Sequence, residues 1–250
     1  ETIIAFFILF AGIITILISL ALGVVYHTTF DMEYLGWCIM MGAIWMLGES
    51  KLRQLWISNA SVLAGMCFIV IMLCPIPILL YIDSVQKGRY TKLYHIMEEL
   101  AFLNFLISTI LQLSGKLDYI ETMPVGHVIM GLTFFLILGT FIRDMCQNES
   151  RSYHLVLVGV IVAMIAALIE AVSAYFVVSI SGIFIGIGLL VLLFVNIIQT
   201  MKSVRDMELQ RQKEEVEKRR KQTEKMALQM IRTLSTTLEA KDEYTNGHSY

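Results

Sequence analysis

Hydrophobic positions in the first four-fifths of the chain do not alternate with polar ones; they run together in blocks. A spanning helix needs about 20 mainly apolar residues. Thr2 to Tyr26 is one such run, uninterrupted by charge, and Tyr34 to Leu47 is a shorter second that ends at Gly48-Glu49-Ser50-Lys51. Leu55 to Ile82 carries Pro75 and Pro77 near its end, and His95 to Leu113 is less apolar, with Glu98, Glu99, Asn104 and Gln112 inside it. Val125 to Ile142, Tyr153 to Phe176 and Val178 to Gln199 complete a count of seven. Prolines 75 and 77 each lack an N–H, so they are expected to kink or end the third helix.

From Met201 the pattern reverses. Met201 to Lys241 contains neither Pro nor Gly and is dominated by Glu, Lys, Arg, Gln, Met and Leu, which predicts one continuous helix of about 60 Å at 1.5 Å per residue. Leu209, Val216, Thr223 and Met230 recur every seven residues. The companion seam is Gln or Lys and Arg until Ala227 and Leu234, so the pattern is half a coiled coil. Its second half, with Ala227, Met230, Ile231, Leu234 and Leu238 on one face, is amphipathic and predicts a partner helix or domain.

Composition agrees with this division. Hydrophobic residues make up 57 % of the chain and charged residues 16 %, which excludes an ordinary soluble globule. Charge gathers in the last 50 residues, which hold 11 Lys+Arg and 9 Asp+Glu, so the net −2 averages two regimes. With the start outside, the predicted inner loops hold Lys87, Arg89, Lys92, Arg143 and Arg151, and the outer loops hold Lys51, Arg53 and Lys116. The basic tail adds to the inner side, so the N-terminal end is expected outside and the C-terminal end in the cytoplasm. No basic leader precedes the first run, and both ends read as cut from something longer.

Charges at membrane depth are expensive and default to functional candidates. Glu170 lies in the middle of a run, and is either a proton or ligand site or a carboxyl bonded to a neighbouring helix such as that of Asn104 and Gln112. Glu49, beside Lys51 and Arg53, together with Glu98 and Glu99, reads as solvated or paired at helix ends. Gly182 and Gly186 form a GxxxG that permits close helix approach, within the bundle or between copies. Cys38, Cys67, Cys74 and Cys146 show no metal-ligand spacing and read as small buried hydrophobes. Trp37, Trp45 and Trp56 fit an interfacial belt, and Asn59-Ala-Ser61 and Asn148-Glu-Ser150 match the glycosylation pattern at a level expected by chance.

The string Thr233-Leu-Ser-Thr-Thr-Leu-Glu-Ala-Lys-Asp-Glu-Tyr-Thr-Asn-Gly-His-Ser249 resembles the opening of an HD-GYP domain, a bacterial module that hydrolyses cyclic di-GMP at a non-haem metal centre. The resemblance implies that His248 is a metal ligand, set in direction by the Asn246-Gly247 turn, in a di-iron or manganese centre. Some members use a carboxylate four residues before this His; here Tyr244 stands there, which implies a two-metal centre. The remaining ligands would follow Tyr250, so residues 1–250 hold no complete cofactor site and are not expected to be catalytic. The run Trp45-Met-Leu-Gly-Glu-Ser50 and Leu73-Cys-Pro-Ile-Pro-Ile-Leu-Leu80, within seven spans entered from outside, look like bacterial seven-transmembrane receptors with diverse intracellular signalling modules.

These readings combine into an all-α membrane protein: a seven-transmembrane helical sensor at 1–200, a coiled-coil-like linker at 201–241 and the start of an HD-GYP domain at 242–250. A receptor of the bacterial inner membrane is expected, embedded in the lipid bilayer, with an external ligand that the sequence does not name. A homodimer through Leu209, Val216, Thr223, Met230 and Leu234 is expected, and no nucleic-acid partner. The alternatives are a transporter or channel with a cytoplasmic appendage, and the same receptor feeding a histidine kinase or diguanylate cyclase.

Overall fold

The computed structural model describes residues 2–26, 32–50, 59–147, 153–175 and 182–246. Every regular element among them is a helix: α1 (Thr2–Tyr26), α2 (Met32–Glu49), α3 (Ala60–Leu73), α4 (Pro75–Val85), α5 (Thr91–Leu113), α6 (Tyr119–Cys146), α7 (His154–Tyr175) and α8 (Ile183–Asn246). Five stretches are long and apolar enough to cross a membrane, namely α1, Ser61–Val85, α5, α6 and a part of α8. His154–Glu170 is a shorter apolar stretch, and α2, with 18 residues and Glu33 and Glu49 near its ends, is not among the five. The chain is thus all-helical with several helices suited to a multi-pass membrane protein.

Two compact units divide the chain, Glu1–Thr200 and Met201–Tyr250. The first has a core of Ile8, Leu35, Ile39, Leu79, Tyr94, Ile137, Val156 and Leu192, drawn from seven of the helices. Large apolar side chains such as Phe7, Phe10, Ile110 and Phe135 lie outward and exposed. α1 shows the inversion most plainly: it buries Ala5, Ile8, Gly12, Thr15 and Ser19. In hydrocarbon nothing drives large apolar side chains inward, so small residues that let backbones approach take the interior.

Between α1 and α2 that approach reaches the backbone itself. A Cβ placed on Gly12 would lie 3.1 Å from the Gly36 carbonyl oxygen, and one on Gly36 would lie 3.1 Å from the Gly12 carbonyl oxygen. Sequence reading had marked Gly182 and Gly186 instead. Gly182, at φ +87°, precedes α8 rather than lining it. Gly186 packs on Ile8 and Met46, and Gly188 packs on Ala163 and Ala166, so both serve contacts within the bundle.

The third expected span is two helices. Cys74 closes α3, its N–H still bonded to the Val70 carbonyl, and Pro75 opens α4. Proline is at home in a first helical turn, where its missing N–H would be orphaned anyway. The fifth span starts six residues earlier than the hydropathy implied, because Asp118 and Glu121 form a capping box ahead of Pro124. Asn59 is also a cap: its side chain accepts from the N–H groups of Ser61 and Val62, a use that needs no glycan. Of the cysteines, Cys38 and Cys67 are buried as expected, whereas Cys146 is exposed.

The second unit is the polar part of α8. Leu209, Val216, Met230 and Leu234 are exposed along it. Glu217 pairs with both Arg220 and Lys221 at 3.5 and 3.7 Å within the same helix, a weak surface arrangement.

Two glycine substitutions should separate close packing from helix propensity. Gly36→Val should cost about 1–3 kcal/mol through overpacking against α1. Gly139→Ala, where an added Cβ meets nothing within 4 Å, should be neutral or stabilising by up to about 1 kcal/mol. Denaturation in mixed micelles measures both, and equal effects would remove the α1–α2 contact as the cause.

Candidate functional site

Among the described residues, a buried polar cluster gathers where α4 ends, α5 and α7 begin and α6 ends. α4 closes in a Schellman turn: the Lys87 N–H bonds the Ser84 carbonyl at 3.0 Å and the Gly88 N–H bonds the Asp83 carbonyl at 2.9 Å. Lys87 takes the left-handed position at φ +58°, which glycine usually fills. This turn reverses the chain and leaves Gln86, Arg89 and Tyr90 facing one point. That point is Asp144, in the last turn of α6 and fully buried.

Asp144 Oδ1 accepts from Arg89 Nη1 and from the Tyr90 hydroxyl, each at 2.9 Å. Oδ2 accepts from Gln86 Nε2 at 3.0 Å and from the Tyr153 hydroxyl. Four donors match the four lone-pair sites of a carboxylate, so the group is saturated. Only the amide face of Gln86 can serve an acceptor, which turns its Oε1 outward to take the Tyr94 hydroxyl. Tyr94 in turn lies 2.6 Å from Thr140 Oγ1, one turn back on α6. Arg143 stands 5.8 Å from the centre of the Tyr90 ring and adds a cation–π contact.

Both oxygens of this carboxylate are engaged by side chains from neighbouring segments. The cluster therefore holds helix ends together; its chemistry is that of a joint. Burial raises the Tyr90 and Tyr153 phenols above their ordinary value, and their hydrogen bonds to Asp144 act in the same direction. Both remain donors through the neutral range.

A second polar contact ties α4 to α8: Asn196 Nδ2 donates to the Tyr81 hydroxyl at 2.8 Å, and Thr200 Oγ1 donates to Asn196 Oδ1 at 3.1 Å. Asn196 is buried, as is Tyr81. A third lies across the bundle, where Glu170 Oε1 accepts the Gly182 N–H just ahead of α8. Glu170 is 4 % exposed and its Oε2 has no hydrogen-bond partner.

The sequence candidates are dispersed. Glu170 meets Gly182 and not the helix of Asn104 and Gln112. Asn104 lies near Gly126, with its Nδ2 buried and without a hydrogen-bond partner among the described residues. Gln112 stitches the α5–α6 connection, accepting from the Tyr119 N–H at 2.6 Å and reaching Asp118 at 3.4 Å. Glu49 ends α2, while Lys51 and Arg53 lie outside the described residues, as do His248, Asn148 and Trp56. Glu98 and Glu99 sit beside His95, at 3.3 and 3.4 Å. No group of three or more metal-ligating side chains occurs among the described residues.

Asp144 was missed because it directly follows Arg143 at the end of an apolar run and read as a loop residue. The available signal was the set of hydroxyl and amide donors, Gln86, Tyr90, Tyr94 and Tyr153, flanking the same two connections. No protein-family model, curated protein or solved structure matches the chain.

Asp144→Ala should destabilise the bundle by about 3 kcal/mol, since it strands Gln86 and the Tyr153 hydroxyl and leaves Arg89 to water. Lys87→Gly should stabilise it by about 1 kcal/mol by removing the left-handed penalty. Both are read by mixed-micelle denaturation, and an unchanged Asp144→Ala would contradict the hub. A phenol raised on folding binds its proton more tightly in the folded state, so its contribution is complete below pH about 10 and declines as pH rises through the folded value. Tyr153→Phe should flatten that alkaline decline; a slope identical to wild type would show that Tyr153 does not cause it.

Proposed function

We propose that the chain is the sensing and transmitting part of a bacterial receptor of the inner membrane, with seven membrane crossings, its N-terminal end outside and its C-terminal end in the cytoplasm. α8 passes the state of the bundle to an HD-GYP output that hydrolyses cyclic di-GMP. In this reading His248 is the first ligand of a di-iron or manganese centre whose other ligands follow Tyr250. The observation that supports transmission is α8 itself, one helix from Ile183 to Asn246 that bears both Asn196 in the bundle and the exposed Leu209, Val216 and Met230 seam. Counting Ser61–Val85 as one crossing despite its break, and adding α2 and α7 to the five apolar stretches, gives the seven.

The exposed seam supports pairing with a second copy. Lys213 and Arg220 would then lie on the companion seam, where like charges weaken the pairing and leave two registers close in energy. A rotation or slide of α8 would select between them.

Two observations favour a transporter as the second reading: a helix broken at Cys74, and Glu170 buried with an unpartnered oxygen. Uptake into proteoliposomes that is lost in Glu170→Gln would establish it.

Insertion of one to four residues near Gln212 in the full-length protein tests the receptor reading. Cyclic di-GMP hydrolysis should follow helical phase, falling with two inserted residues and recovering with four, and His248→Ala should abolish it. Activity indifferent to phase, or no hydrolysis with iron or manganese supplied, would overturn it.

A further inference from the structure

We propose that α4 is a two-jointed lever that couples the Asp144 cluster to the α8 stem through the Tyr81–Asn196 hydrogen bond. The inference rests on the receptor reading for what the movement serves, but the movement itself stands on the geometry of the Glu1–Thr200 unit.

Both ends of α4 are joints. At the first, Pro75 and Pro77 supply no N–H, so the carbonyls of Ile71 and Leu73 lose the donors that a continuous helix would give them. Bending a helix ordinarily costs such bonds; here two are already forgone. At the second, the chain reverses through Lys87 and Gly88, at φ +58° and +72°. Between them lie only 11 residues, about 16 Å of helix.

Along that short rod sit two buried polar attachments about a turn and a half apart. Gln86, its C-terminal cap, is held by Asp144 on α6 and Tyr94 on α5. Tyr81 is held by Asn196 on α8. Each bond lies in a water-poor interior where an unmade partner is costly, so each attachment has discrete arrangements rather than a continuous range. Rotation of α4 that releases Gln86 from Asp144 must carry Tyr81 with it, and Asn196 must follow or lose its acceptor. α1 and α2 offer a fixed reference, because their backbones meet at Gly12 and Gly36.

The test uses the whole chain in lipid nanodiscs, with a genetically encoded, cysteine-independent spin label at exposed Val24 on α1 and a second at Ile197 on α8. Pulsed electron spin resonance gives their distance distribution in wild type, Asp144→Asn, Tyr81→Phe and the double variant. Asp144→Asn should shift the distribution or add a second population, and the response should vanish when Tyr81→Phe is also present. If Asp144→Asn does not fold, Tyr153→Phe, which keeps three of the four donors, takes its place. A distribution unchanged by the hub variants would overturn the lever, and a shift of equal size with and without the Tyr81 hydroxyl would do the same. No cyclic di-GMP hydrolysis by the full-length protein, with these distances responding as expected, would count against the output reading and leave the lever standing.

Discussion

Asp144 is a fully buried carboxylate at the end of α6, a helix long and apolar enough to cross a membrane, and the surrounding architecture follows from the need to give it four donors. None can come from bulk water, and α6 alone cannot provide them. Gln86, Arg89 and Tyr90 are brought in by a reversal of the chain after α4, and Tyr153 by the start of α7. Moving any one of these segments leaves a donor or an acceptor unpaired in a buried interior, where that is costly. The same reasoning separates Asp144 from Glu170: the first has both oxygens bonded and joins helices, the second has one oxygen without a hydrogen-bond partner among the described residues.

The bundle is assembled by two unlike means. On the α1–α2 side, glycines bring backbones into contact and the attraction is dispersion over a close-fitting surface. On the α4–α6–α7 side, cohesion comes from directional bonds between side chains. Dispersion contacts of that closeness permit little displacement, whereas a hydrogen-bond network can exchange one complete set of partners for another. Close backbone packing and a directional polar network are therefore held by different helix pairs of one bundle.

Apolar runs were legible in the sequence because bilayer thickness acts on each helix separately, and the absence of Pro and Gly after Met201 made the long helix legible as well. The Pro75 break was foreseen, since a missing N–H is a local fact. Asp144 was not, because its significance depends on residues 58, 55, 54 and 9 positions away meeting at one point, a property of tertiary structure. Gly12 and Gly36 were passed over for a similar reason: a GxxxG spacing is visible within one helix, while a single glycine opposite another on the next helix has no local pattern. Glu170 stood out as a lone carboxylate, but its partner proved to be a backbone N–H, which no side-chain inventory reveals.

The left-handed position after α4 is held by Lys87, with Arg89 and Lys92 following it in the chain. An exposed ammonium group has to stay in water or among headgroups, so this corner cannot be drawn into the hydrocarbon. In a bilayer the turn would act as a float that limits how deep α4 could sit. Piston-like travel along a membrane normal would then be opposed, and tilting or turning in place would be left as the freedom of the segment.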